Sequence, residues 1–193
     1  MPTLEEKIEQ FNEFYLIPFN IKVNVLPCDK EPSSISMADF ENSMPYAFKI
    51  AGEMAEIQSQ TLKPLRNLGD KLNDLVDYLQ FQAKKIDLMM SYILQQQDDP
   101  KYRQTAIKFG GGGVIVRQNN KVDLGETRVI KLFLESESAA IYCLAEAIVC
   151  EQINEEQTDI SYVYTHIRER DQELLVRASL HLQTQTLRKQ HTQ

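Results

Sequence analysis

The sequence predicts an α+β chain in which a small antiparallel β-barrel or meander is interrupted by a long helical insertion and followed by a terminal helix. Three observations predict it. Residues 19–26 alternate apolar and polar side chains; residues 46–97 carry a helical composition in which glycine appears only at 52 and 69; and after Pro100 the chain turns to short Val-, Ile- and Tyr-rich runs separated by turn residues. Pro27, Pro32, Pro45, Pro64 and Pro100 punctuate the first half and no proline follows, so the chain divides near residue 100.

The first strand places Phe19, Ile21, Val23 and Val25 on one face and Asn20, Lys22 and Asn24 on the other, the pattern of a half-buried strand. Residues 28–44 are polar and predict a loop, after which Pro45 sits where a first helical turn tolerates proline. Pro64 is expected to split or kink the helical stretch. Beyond it a heptad register begins. With Leu65 at position a, the a and d places fall on Leu65, Leu68, Leu72, Leu75, Leu79, Gln82, Ile86, Met89 and Ile93, all apolar except Gln82. Flanking positions add Val76, Tyr78, Ala83, Met90 and Tyr92, so the apolar face is wider than a two-stranded seam and asks for more than one neighbour.

A helix from Pro64 to Gln97 would be roughly 50 Å long, whereas a compact chain of this size has a radius of gyration of about 16 Å. The overhang predicts self-association through the heptad face; the alternative is that residues 46–62 fold back as a hairpin and cover it. Gln82, an amide inside the seam, either pairs with its equivalents to fix register or marks where the seam opens.

After Pro100, strands are predicted at 105–109, 114–117, 128–134, 139–150 and 160–167, with turns at Asn119-Asn120 and Asp123-Leu124-Gly125. A last helix runs from Asp171, suited to the N-cap, to about Lys189, with Leu174, Leu175, Ala178 and Leu182 on one face. Gly110, Gly111, Gly112 and Gly113 form a tight turn or bulge that needs positive φ and close backbone approach. No Gly-Lys-Ser/Thr or GxGxxG pattern accompanies them, so a nucleotide triphosphate loop is not predicted.

The 193 residues carry 21 Lys+Arg and 28 Asp+Glu, a net charge of −7, with 42% hydrophobic and 25% charged residues. These are globular proportions, and the acidic balance argues against nucleic-acid or anionic-membrane binding. Cys28, Cys143 and Cys150 lack paired spacing and the N-terminus lacks a signal pattern, which predicts a reduced, cytoplasmic protein; no apolar run is long enough to insert in a membrane. Cys143 and Cys150 are expected to be buried thiols. His166, His181 and His191 show no metal-ligand spacing, no GxSxG elbow exists, and the carboxylates cluster near turns, so no enzyme activity is predicted.

The order of one strand, a glycine-rich turn into a strand, the turn around Gly125, two longer strands and the segment Ile167-Arg168-Glu169-Arg170-Asp171-Gln172-Glu173-Leu174 leading into the last helix resembles the PilZ domain. The match covers residues 19–26 and about 103–189. The long insertion is similar to that of the atypical, tetramer-forming PilZ subgroup. The resemblance implies a six-stranded barrel, a homotetramer in the bacterial cytoplasm and a place in cyclic di-GMP signalling. It also implies a layout of an N-terminal segment with the first barrel strand (1–30), an oligomerisation module (31–100) and the remaining barrel with its C-terminal helix (101–193).

PilZ receptors hold their ligand through an RxxxR pair before the first strand and a [DN]xSxxG turn. Here residues 10–20 contain no arginine or lysine, and with Gly113 as the closing glycine the acidic and serine places are Lys108 and Gly110. The bidentate donors a doubly anionic dinucleotide wants are missing. The expectation is therefore no cofactor and an adaptor acting on an unidentified signalling protein. The alternative is a receptor for cyclic di-GMP or another nucleotide that uses Arg117, Arg128, Arg168 and Arg170. The alternating signs of residues 168–171 predict a solvated, self-paired helix start.

Overall fold

The structure is a computed structural model describing residues 3–28, 34–65, 73–119 and 121–190. Its elements are α1 (Leu4–Glu13), β1 (Ile17–Pro27), α2 (Met37–Ser43), α3 (Tyr46–Leu65), α4 (Asn73–Gln95), β2 (Arg103–Phe109), β3 (Gly113–Gln118), β4 (Thr127–Leu134), β5 (Ala139–Gln152), β6 (Thr158–His166) and α5 (Glu169–Gln190). The six strands close a barrel in the order β1-β2-β3-β6-β5-β4, antiparallel throughout. Closure comes from β1, which pairs with β2 along one edge and β4 along the other, so the strand preceding the insertion seals the sheet formed after it.

Inside lie Val23, Phe109, Val116, Ile130, Leu132, Ile141 and Tyr162, joined by Leu175, Ala178 and Leu182 from the predicted face of α5. A second core lies outside the barrel, where Phe40, Met44, Phe48, Met90 and Leu94 of the insertion cover Phe133, Ala140, Tyr142 and Leu144. Phe40 and Phe48 are fully buried there, each worth about 2 kcal/mol of apolar transfer. Strand β5 is thus covered on both faces over much of its length, which is why 139–150 is almost continuously apolar instead of alternating.

Several expectations are corrected. Residues 37–43 are helix α2 and not loop: Ser36 accepts the Asp39 N–H as N-cap, and Phe40 is the apolar anchor. Helix α1 was not foreseen, although Thr3 and Glu6 make a full capping box, Glu6 N–H to Thr3 Oγ1 at 3.3 Å and Thr3 N–H to the Glu6 carboxylate at 2.6 Å. An irregularity between Pro18 and Ile21 turns Phe19 outward, leaving it 40% exposed while Ile21 and Val23 stay inside. Helix α5 opens at Glu169 rather than at an Asp171 cap, because the Arg168 carbonyl already accepts from the N–H groups of Asp171 and Gln172. Cys143 is buried and its thiol pushed well up by desolvation, but Cys150 is exposed near the end of β5.

The insertion returns to the barrel through Asp98 and Asp99. Asn24, fully buried on β1, donates to the Asp98 carboxylate at 2.9 Å and accepts the Asp99 N–H at 2.8 Å. Burial raises the Asp98 carboxyl, but hydrogen bonds from Arg103 and Asn24, with the charges of Arg103 and Lys22, outweigh it and hold its pKa below 3.8.

Candidate functional site

Three regions bear on function: the glycine turn, the arginines, and the outer face of the insertion.

The glycine turn joins β2 to β3, and none of its four glycines has a left-handed φ, contrary to expectation; Gly125, in the Asp123–Glu126 turn, does, at 86°. What the turn needs is room. A Cβ on Gly110 would lie 2.5 Å from the Tyr15 carbonyl oxygen, on Gly111 2.8 Å from the Phe14 ring, on Gly112 2.9 Å from the Gln10 and Phe11 carbonyls, and on Gly113 2.5 Å from the Phe11 ring. Helix α1 and the residues after it therefore lie directly on the turn. Gln172 of α5 reaches the same turn, donating to the Gly111 carbonyl at 2.9 Å.

Helix α1 is held there by two devices. Phe11 is buried with Ile148 and Val163, and Lys7 Nζ lies 2.6 and 2.8 Å from the two carboxylate oxygens of Glu146 on β5. Both ends of that ion pair are largely buried, so neither side chain can leave without stranding the other. In this chain the segment preceding β1, where PilZ receptors keep their arginine pair, supplies aromatic rings and backbone carbonyls to the turn. Carbonyl oxygens repel a phosphate instead of binding it.

The four candidate arginines do not converge. Arg117 on β3 makes a fork to Asp159 on β6 at 2.7 and 2.8 Å, and that hydrogen bond raises its pKa further. Arg128 on β4 pairs with Glu126 at 2.7 Å. Arg168, only 5% exposed, pairs with Asp171 at 2.7 and 3.1 Å and donates to the Phe48 carbonyl at 3.1 Å. Arg170 lies over Gly52 of α3, its guanidinium filling the space a Cβ would take. The self-pairing of residues 168–171 is present, but the helix start is buried rather than solvated: Arg168 and Arg170 join α5 to α3. Burial pushes the Asp171 carboxyl up, an effect its Arg168 partner only partly offsets.

The insertion presents the third region. In α4, Val76, Leu79, Ala83, Met90 and Leu94 fall on the buried or half-buried stripe, and Met90 and Leu94 enter the core shared with α3 and the barrel. The hairpin reading thus describes the barrel-proximal ends of α3 and α4. The heptad seam is the adjacent stripe. Leu75, Ile86, Met89 and Ile93 are exposed, Met89 to 67%, while Leu79 and Gln82 are half-buried. Beyond the seam Tyr78, Phe81, Leu88 and Tyr92 are exposed as well. Leu68 and Leu72 lie outside the described residues, as does the side chain of Leu65, although Pro64 and Leu65 themselves belong to the last turn of α3.

Among the described residues no cluster of three or more His, Cys, Asp or Glu is placed to hold a metal, and no helix is long and apolar enough to cross a membrane. No family model and no curated protein matches the sequence. Among solved structures, a pathogenic protein from Xanthomonas campestris, described as a tetrameric PilZ domain self-assembled through an unusual helical bundle, aligns over 93% of this chain and 96% of its own, with TM-score 0.56 and 13% identity. The Bacillus subtilis inhibitor of motility MotI/DgrA aligns over 43% of this chain and 42% of its own at TM-score 0.40 and 19% identity. The closed six-stranded barrel with its helical insertion is a PilZ-type fold, shared with the Xanthomonas protein across nearly the whole of both chains.

Proposed function

We propose that this chain is a non-enzymatic PilZ-like signalling adaptor of the cyclic di-GMP type, acting in a bacterial cytoplasm without the usual ligand motifs and assembling as a homotetramer through α4. The observation that carries the reading is the wide apolar face of α4 that its own chain leaves uncovered. Two others support it. The Xanthomonas protein, alike in fold over almost its full length, is described as tetrameric through a helical bundle; and α1 occupies the glycine turn at which PilZ receptors hold cyclic di-GMP.

In this reading residues 31–100 are the assembly module, set between the first barrel strand within residues 1–30 and the remaining barrel within 101–193. Arg168 and Arg170 fix the module to α5, so the bundle presents several barrels at set geometry. Weak contacts from each barrel to a signalling partner then add by avidity.

Titration calorimetry with cyclic di-GMP at tens of micromolar protein tests the ligand half of the proposal: no saturable heat is expected. Saturable heat abolished by changes at the glycine turn would overturn it and make the chain a receptor. For the assembly half, the pair of changes Ile86→Lys and Ile93→Lys is expected to reduce the solution mass while leaving the barrel folded, and an unchanged mass would reject α4 as the interface.

A further inference from the structure

The end of the barrel opposite the glycine turn holds a cavity of about 320 Å³ where β1 ends and β2 and β4 begin. That volume lies at the lower end of the range typical of small-molecule sites. From its lining we propose that this mouth binds a small organic anion: a planar ring bearing one phosphate or carboxylate group.

The charge comes from Lys101 and Arg128, and among the described residues no carboxylate lines the cavity. Lys101 makes no ion pair among the described residues; its ammonium lies 5.0 Å from the centre of the Tyr102 ring, which places it at the rim. Arg128 gives one guanidinium nitrogen to Glu126 at 2.7 Å, while its Nε is buried and has no hydrogen-bond acceptor. That Nε is closed to solvent, so an entering anion would meet the charge of the guanidinium, whose side chain is 20% exposed, rather than Nε itself. The planar body has its own partners. Val25 and Pro27 from β1 and Val122 supply apolar wall beside the Tyr102 ring, and the amides of Gln104 and Gln118 supply polar groups for the edge of a heterocycle. Gln118 and Val122 are themselves buried, so much of the wall is set before any ligand arrives.

Of the four candidate arginines, Arg128 is the one that lines this cavity, and Arg117, one residue from Gln118 but committed to Asp159, is the natural control. The site lies away from the α4 face, so it goes beyond the adaptor reading and stands or falls separately from it.

The probes are adenosine monophosphate and benzoate, each joining a ring to an anion, with adenosine and inorganic phosphate as the separated halves. Titration by calorimetry or protein NMR is expected to show at least one joined probe saturating below about 1 mM, and each half binding about tenfold more weakly or worse. Arg128→Gln should weaken the joined probe about tenfold or more. Lys101→Ala, at an exposed position where folding is not at stake, should weaken it severalfold. Arg117→Gln should leave binding unchanged, and all three variants should keep the wild-type solution mass. No saturation with either joined probe, or undiminished binding in both Arg128→Gln and Lys101→Ala, would overturn the proposal and leave water as the cavity's occupant.

Discussion

Replacing Gly113 with alanine places a methyl against the Phe11 ring and the Tyr162 carbonyl, and the carbonyl belongs to a paired strand that cannot shift. The expected cost is about 3 kcal/mol in urea unfolding. Gly125→Ala meets only the Glu146 carboxylate at an ordinary 3.9 Å and the strain of its positive φ, so about 1 kcal/mol is expected there. The contrast separates the two reasons for a glycine, close approach and left-handed backbone. Consecutive glycines in the sequence did not distinguish them, because nothing local says that α1 and α5 will pack on the turn.

Asp98 gives a second prediction at the same scale. Its folded pKa lies below the ordinary 3.8, so its ion pairs contribute stability above that value, and the contribution is lost as pH falls through the folded pKa. Asp98→Asn should therefore destabilise by about 1–2 kcal/mol at pH 7, and by progressively less as the pH falls through the folded pKa of Asp98, read from melts across pH. A difference independent of pH would mean that Asp98 acts through shape or neutral hydrogen bonds. Asn24 was read from the sequence as an outward polar residue. It does leave the barrel interior, but into the joint with Asp98 and Asp99, which alternation along one strand cannot reveal.

Among the elements, the strands from 105 to 167 were legible because β-branched and aromatic runs between turn residues leave few alternatives. Helix α2 was not, since seven residues carry too little periodicity, and α1 is marked in the sequence by little beyond its Thr3-to-Glu6 box. Helix α4 was legible in part. The heptad register falls largely on the exposed side of the helix, and the stripe that the barrel buries lies beside it. One helix with two apolar stripes reads, in one dimension, as one wide face.

The joint between α3 and α5 makes the element-scale prediction. Arg168→Met leaves the buried Asp171 carboxylate without its partner and should cost about 3–5 kcal/mol, while adding Asp171→Leu should recover a large part of it. Non-coincident unfolding of barrel and insertion in Arg168→Met would show that this joint couples them. Within α4, Gln82→Leu is expected to raise the melting temperature and admit further oligomeric species if Gln82 is interior to a bundle, whereas unchanged melting and mass would place it where the seam opens.

For the whole molecule, the sequence carried the barrel, the insertion and the PilZ resemblance, and the closed sheet agrees with them down to the strand before the insertion sealing the strands after it. Of the arginines it carried only the pairing of Arg168 with Asp171. Arg128 with Glu126 and Arg168 with Asp171 are local pairs, but Arg117 meets Asp159 through strand register and Arg168 and Arg170 reach α3 through helix packing, so the separation of the four became visible only with the fold. The wide apolar face of α4 is the feature with the largest consequence, because the proposed assembly rests on it.

The most direct measurement of that claim is the solution mass of the purified protein by light scattering at tens of micromolar. The account predicts about four times the 22.3 kDa chain mass; a stable 22.3 kDa monomer that neither self-associates nor aggregates would contradict it.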